Sequence, residues 1–269
     1  MHKLAAIQMN SGSEVTANLR EAGRLMATAA AQGAELIVLP ENFALMAKSD
    51  AERVAAGELD GSGQIQDFLA DKARTLRVWI VGGTLPVLAS KERVFARCPV
   101  YNPEGRCVAH YDKIHLFDVD VGGGESYRES ARVEAGKKPV MVKTPFGMLG
   151  LAVCYDLRFP ELFRALLEKG ATLFAVPSAF TRTTGERHWA LLVRARAVEN
   201  LAFVIAAAQA GRHANGRETW GHSMVVDPWG EILAERKGGD PGIVSTFLDT
   251  DQQTRLRARF PAINHRRMV

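Results

Sequence analysis

The stretch Gly150-Leu151-Ala152-Val153-Cys154-Tyr155-Asp156-Leu157-Arg158-Phe159-Pro160-Glu161 passes from apolar strand to helix within a few residues. The apolar run 149–154 reads as a strand, and a helix is expected over 160–169, opened by Pro160 and ended by Gly170. A second apolar strand follows at 172–176, and this strand-helix-strand order belongs to a parallel sheet covered by helices. The turn presents Cys154 at the C-terminal edge of that sheet, where backbone N–H groups and a helix dipole can stabilise a thiolate and an oxyanion. Taken alone, such a cysteine is more often a small buried hydrophobe than a catalyst.

The same order recurs upstream. A strand over 3–9, an amphipathic helix over 13–32 ending at Gly33 and a strand over 35–39 stopping at Pro40 precede a helix over 64–75 and a strand over 78–82. Extended segments are expected at 94–101 and 106–110. Downstream, a helix over 186–200 and a strand over 203–208 lead into short strands at 223–226, 231–234 and 242–248, separated by turns such as Asp227-Pro228-Trp229-Gly230. The pattern predicts an α/β layered sandwich rather than a barrel. No linker, repeat or low-complexity stretch divides the chain, so residues 1–269 are expected to form one domain.

Composition narrows the function classes. With 47% apolar and 24% charged residues, the chain can bury a large core and is not disordered. Its 34 basic and 30 acidic residues are scattered, which disfavours nucleic acid as a partner. The densest basic cluster, Arg255, Arg257, Arg259, Arg266 and Arg267, lacks aromatic stacking residues and reads as a solvated or subunit-contacting tail. Three cysteines (Cys98, Cys107, Cys154) suit free thiols in a reducing compartment, and no apolar run is long enough for a signal or a membrane span. A cytoplasmic enzyme is expected.

Two further residues stand where Cys154 stands, at strand ends. Leu36-Ile37-Val38-Leu39-Pro40-Glu41 puts a carboxylate directly after a buried strand, either as a surface or capping group or as a partly desolvated base. Tyr111-Asp112-Lys113-Ile114-His115-Leu116 puts a lysine after another. A lone lysine is usually a solvated charge. Three reactive types at the C-terminal ends of three strands are a different matter, because open α/β sheets place their ligand sites there. Together they make a working set: Glu41 takes the thiol proton, Cys154 attacks a carbonyl or nitrile-type carbon, and Lys113 with the backbone N–H of Tyr155 holds the oxyanion.

At these three segments the chain resembles the nitrilase superfamily of carbon–nitrogen hydrolases, which places glutamate, lysine and cysteine in Leu-Pro-Glu, Tyr-x-Lys-x-His-Leu and Cys-Tyr-Asp-x-Arg-Phe contexts. The resemblance runs from Ala5-Ala6-Ile7-Gln8-Met9 to Pro261-Ala262-Ile263-Asn264-His265. It implies a four-layer α-β-β-α sandwich that pairs through its outer helices into a homodimer or higher homo-oligomer, with no metal and no organic cofactor. It also implies a second glutamate supporting the lysine, carried here by Glu129, with Glu125 as a competitor.

Segments 113–121, 158–162 and 221–230 are most similar to the Nit-type amidases, whose activities are deaminated glutathione amidase and ω-amidase on short α-keto acid amides. The first is the expected activity, the second the alternative, and N-carbamoyl amide or nitrile hydrolysis a more distant one. Both Nit-type substrates are linear amides carrying carboxylates, so the pocket should offer cationic donors. Arg182 and Arg187, after another strand end, are candidates, with Phe180 and Thr181 as further pocket residues. Against this stand a cysteine–histidine hydrolase using His115, His188 or His222, a metal site at His110, His115, Asp118 and Asp120, and a phosphate loop at Gly122-Gly123-Gly124. The first leaves Glu41 and Lys113 unexplained, the second matches no zinc spacing, and the third lacks the lysine and hydroxyl of a nucleotide loop.

Overall fold

The computed structural model describes residues 1–122 and 124–267. Two mixed sheets lie face to face. The first runs Gly242–Leu248, His2–Gln8, Leu36–Val38, Trp79–Val81, Val94–Tyr101, Leu85–Leu88, with Cys107–Asp112 also paired to Val94–Tyr101. The second runs Ile232–Arg236, Ser223–Val226, Phe203–Ala206, Leu173–Ala175, Gly147–Leu151, Met141–Thr144. In each sheet three neighbouring strands are parallel, with Leu4 opposite Leu36 and Leu36 opposite Trp79 in one, and Leu149 opposite Leu173 and Leu173 opposite Phe203 in the other. Parallel strands covered on both faces need unbroken apolar sequence, which Leu36-Ile37-Val38 and Leu173-Phe174-Ala175 supply.

Alternation along the strands then sorts side chains into layers. Leu4, Ala6, Leu36, Val38 and Val81 face the second sheet and join Leu149, Leu151, Ala175 and Val204 in one core, which continues to Phe163, Leu166, Trp189 and Val193 on the helices Pro160–Glu168 and Arg182–Asn200. Ala5, Ile7, Ile37 and Ile80 face the other way, under Leu25, Met26, Leu69 and Ala73 of the helices Val15–Ala31 and Gln64–Leu76. The result is the α-β-β-α sandwich.

Two expectations change. The helix expected from 186 begins at Arg182, because the hydroxyl of Thr181 caps it by accepting from the Thr184 N–H at 3.3 Å. Three of the five arginines of the basic cluster lie on a helix, Thr250–Arg259, rather than in a tail: Arg255 and Arg259 are exposed, and Arg257 donates to the carbonyls of Leu201 (2.9 Å), Ala171 and Asn200 (both 3.1 Å). The strands Asp118–Gly122 and Glu125–Arg128 pair as a hairpin, with Gly122 and Gly124 at positive φ; Gly123 lies outside the described residues.

Candidate active site

The parallel strands of both sheets bring their C-terminal ends to one rim, and the three reactive residues meet there. Beyond Leu36–Val38, the Leu39 N–H still donates to the Val81 carbonyl at 2.9 Å, and Pro40 then turns the chain. Gly83 is required at this turn, since a Cβ on it would stand 2.1 Å from the Pro40 oxygen. Asn42 takes the left-handed conformation (φ 56°) and donates its N–H to Thr84 Oγ1 at 2.8 Å. The carbonyl of Glu41 accepts from the buried Gln209 Nε2 at 3.1 Å, so Glu41 is held by both sheets.

Lys113 follows Cys107–Asp112 and is buried, only 1% exposed. Its Nζ donates to Glu41 Oε1 at 2.7 Å and to both oxygens of Glu129, at 3.1 and 2.9 Å. Burial opposes its charge, but the carboxylates of Glu129 and Glu41 outweigh burial and hold the ammonium above its ordinary range. Burial likewise works against the Glu129 carboxylate, and the Lys113 ammonium and the Phe117 N–H (2.7 Å) bring it below its ordinary value. Glu125 is engaged elsewhere, accepting from the Tyr127 hydroxyl and from Thr183 Oγ1. Of the two candidates for the second glutamate, Glu129 is the one that touches the lysine.

The strand before the nucleophile candidate ends at Leu151, and the chain runs extended to Cys154, the first residue of the 3-10 turn Cys154–Arg158. Cys154 donates its N–H to the Pro177 carbonyl at 2.9 Å and has φ of 49°, a conformation that costs an L-residue about 1 kcal/mol or more. Burial pushes its thiol above the ordinary range, the Glu41 carboxylate adds to this, and Lys113 opposes it. The group therefore rests as a thiol and needs a base to become a nucleophile. The Tyr155 ring, next in the turn, packs edge-on against Phe117 at 5.1 Å.

Glu41, Lys113, Glu129 and Cys154 open into one cavity of about 240 Å³, also lined by Asn42, Asp50, Arg53, Phe117, Ser126, Tyr127, Arg128 and Arg217. Three arginines thus face the space beside the thiol. Arg217 lies over the Tyr127 ring at 5.0 Å and donates through Nη2 to the Ala179 carbonyl, while its Nε is buried without a hydrogen-bond partner.

These cationic residues are not the ones expected. Arg182 and Arg187 are exposed on the outside of Arg182–Asn200, Arg182 paired with Glu218 at 3.5 Å, and neither lines the cavity. Thr181 is occupied as the helix cap, and Phe180 packs beneath Trp189 at 5.0 Å. The histidines of the rival reading are also committed elsewhere: His115 to Asp156, His188 to Arg158 and His222 to Glu235. Arg53 had a local signal, since Ser49-Asp50-Ala51-Glu52 is a capping motif and its short helix Asp50–Ala55 carries Arg53 to the rim. Arg128 and Arg217 come from hairpin and turn, where no periodicity marks which way a side chain faces.

A family model described as carbon-nitrogen hydrolase matches residues 3–258. The chain belongs to this family. As a carbon-nitrogen hydrolase it is 42% identical, over 98% of both chains, to the deaminated glutathione amidase of Synechocystis sp.. It is 34% identical to the omega-amidase NIT2 of Danio rerio, over 98% of this chain and 94% of that one. The crystal structure of Saccharomyces cerevisiae Nit3, a member of branch 10 of the nitrilase superfamily, superimposes with a TM-score of 0.89 at 31% identity, over 99% of this chain and 97% of that one. The protein is a hydrolase of carbon–nitrogen bonds other than peptide bonds. Among the described residues, no helix is long and apolar enough to cross a membrane.

Proposed function

We propose that this hydrolase cleaves a linear, carboxylate-bearing carboxamide of the deaminated glutathione type through a thioester on Cys154. The observation that carries the reading is the chain of buried charges, Glu41 to Lys113 to Glu129, opening beside the thiol into a cavity faced by Arg53, Arg128 and Arg217.

In this reading the amide carbonyl enters beside Cys154. Glu41 accepts the Sγ proton as sulfur bonds to the carbonyl carbon, and the negative charge on oxygen is held by Lys113 Nζ and the Tyr155 N–H. Collapse breaks the C–N bond, and protonated Glu41 returns its proton to the departing amine. Glu41 then takes a proton from water, whose oxygen attacks the thioester; the thiolate leaves and recovers the proton. Glu129 touches Lys113 and positions it. Phe180, Thr181, Arg182 and Arg187, none of which lines the cavity, have no part in binding in this reading. No metal or organic cofactor has a step to perform.

The arginines supply the substrate preference. Guanidinium groups lining the cavity, those of Arg53, Arg128 and Arg217, offer charge-assisted bonds to a substrate carboxylate. The relative at 42% identity favours the larger amide, and the omega-amidase at 34% identity supports the second reading, a short α-keto acid amide.

Residues 1–269 act as one domain in this reading, and its three free cysteines suit a cytoplasmic setting. Leu191, Val198, Trp229 and Phe260 are exposed together around the outer helix of the second sheet and would be covered in a homodimer.

The test is ammonia or amine release across deaminated glutathione, α-ketoglutaramate, neutral aliphatic amides and nitriles. Turnover is expected for the first two, and Arg217→Ala should raise KM for the carboxylate-bearing amides by about tenfold while leaving neutral amides unchanged. Turnover of nitriles but of no amide would overturn the reading.

A further inference from the structure

Among the described residues, no hydrogen bond joins Lys113 to Cys154, although the proposed reaction needs the ammonium and the thiol at a fixed separation. They sit on different sheets, so something must hold their two loops in register. Asp156 is buried completely in the nucleophile's own turn, and its carboxylate accepts four hydrogen bonds. Oδ2 takes the Val153 N–H at 2.8 Å, immediately before Cys154, and the Tyr111 hydroxyl at 2.8 Å. Oδ1 takes the His115 N–H at 3.2 Å and its ring Nδ1–H at 2.6 Å. The Tyr111 hydroxyl in turn accepts from the Ile114 N–H at 3.1 Å, so Lys113 is bracketed on both sides by groups anchored to Asp156. His115 also stacks flat on Phe159, from the end of the Cys154 turn, at 3.7 Å.

We propose that Asp156 is a positioning residue that fixes the separation of Lys113 and Cys154, acting on the rate through the lysine and not on substrate affinity. The proposal rests on the reading of Cys154 as nucleophile and Lys113 as oxyanion cation. A carboxylate is needed because all four partners are donors. An asparagine of the same shape has one oxygen and one NH2, and leaves either the Val153 N–H or the His115 N–H facing a donor. Misplacing reacting groups by about an ångström costs on the order of 10- to 100-fold in rate.

The experiment is a double-mutant cycle with steady-state kinetics. Asp156→Asn should lower kcat by about 10- to 100-fold, with KM held within about twofold. In a Lys113→Ala background the same substitution should lower kcat no further than about threefold, because the group it positions is gone. Tyr111→Phe, which keeps the ring and removes one anchor, should follow the same pattern with a smaller loss and serves if the asparagine variant does not fold. Additive losses in the cycle, or a change confined to KM, would overturn the proposal, as would a wild-type rate for both single variants while Lys113→Ala is impaired. A wild-type rate for Lys113→Ala would remove the underlying functional reading and the coupling with it.

Discussion

Cys98, midway along Val94–Tyr101, and Cys154, in the turn beyond Gly147–Leu151, are both buried, and burial pushes both thiols above their ordinary range. What surrounds them differs. The titratable groups near Cys98 (Cys107, Asp112 and Asp156) all reinforce the neutral form, and its strand holds ordinary extended backbone. Cys154 has a carboxylate to receive its proton, an ammonium to oppose the loss of its charge, and an open cavity in front of it. Burial alone makes a thiol inert; burial beside an acceptor and a cation makes one that ionises only when its proton has somewhere to go.

That contrast can be broken most directly by removing each sulfur. Cys154→Ala should take amide hydrolysis below detection with little loss of stability, whereas Cys98→Ala should keep the wild-type rate and cost about 1 kcal/mol in denaturant melts. Equal activity loss in the two would erase the distinction. Next in size, Lys113→Ala should lose about 10²- to 10³-fold in kcat, as when one oxyanion donor is deleted. A rate within about threefold of wild type would make the lysine a fold residue only.

The smallest effect is in stability against pH. The Glu129 carboxylate lies below its ordinary 4.5 when folded, so its contribution is complete above that pH and lost as pH falls below it. Thermal melts should show the wild type losing stability on acidification below about 4.5, and Glu129→Gln should flatten that slope. An unchanged slope would mean that the Lys113–Glu129 contact contributes nothing.

Much of this was legible in the chain. The strands at 94–101, 223–226 and 242–248 fall where apolar pattern and turn residues put them, and Glu41, Lys113 and Cys154 were legible because strand ends in a parallel sheet share one rim. The arginines were not. The strand-end argument that finds Cys154 points to Arg182 and Arg187 equally well, but a helix starting one turn early sends both to the outside. Arg217 reaches the cavity from a turn joining two three-residue strands, where direction is set by tertiary contacts with Tyr127 and Ala179. The role proposed for Asp156 was hidden for the same reason, since three of its four bonds come from Tyr111 and His115, 41 or more residues away.

The left-handed backbone at Asn42 and Cys154 has a consequence for anyone evolving this protein in the laboratory. Asparagine tolerates that conformation, whereas at Cys154 glycine is the relaxed choice by about 1 kcal/mol. A screen that rewards heat resistance without assaying turnover will press toward glycine at position 154, and under the proposed mechanism its winners will be sturdy and dead.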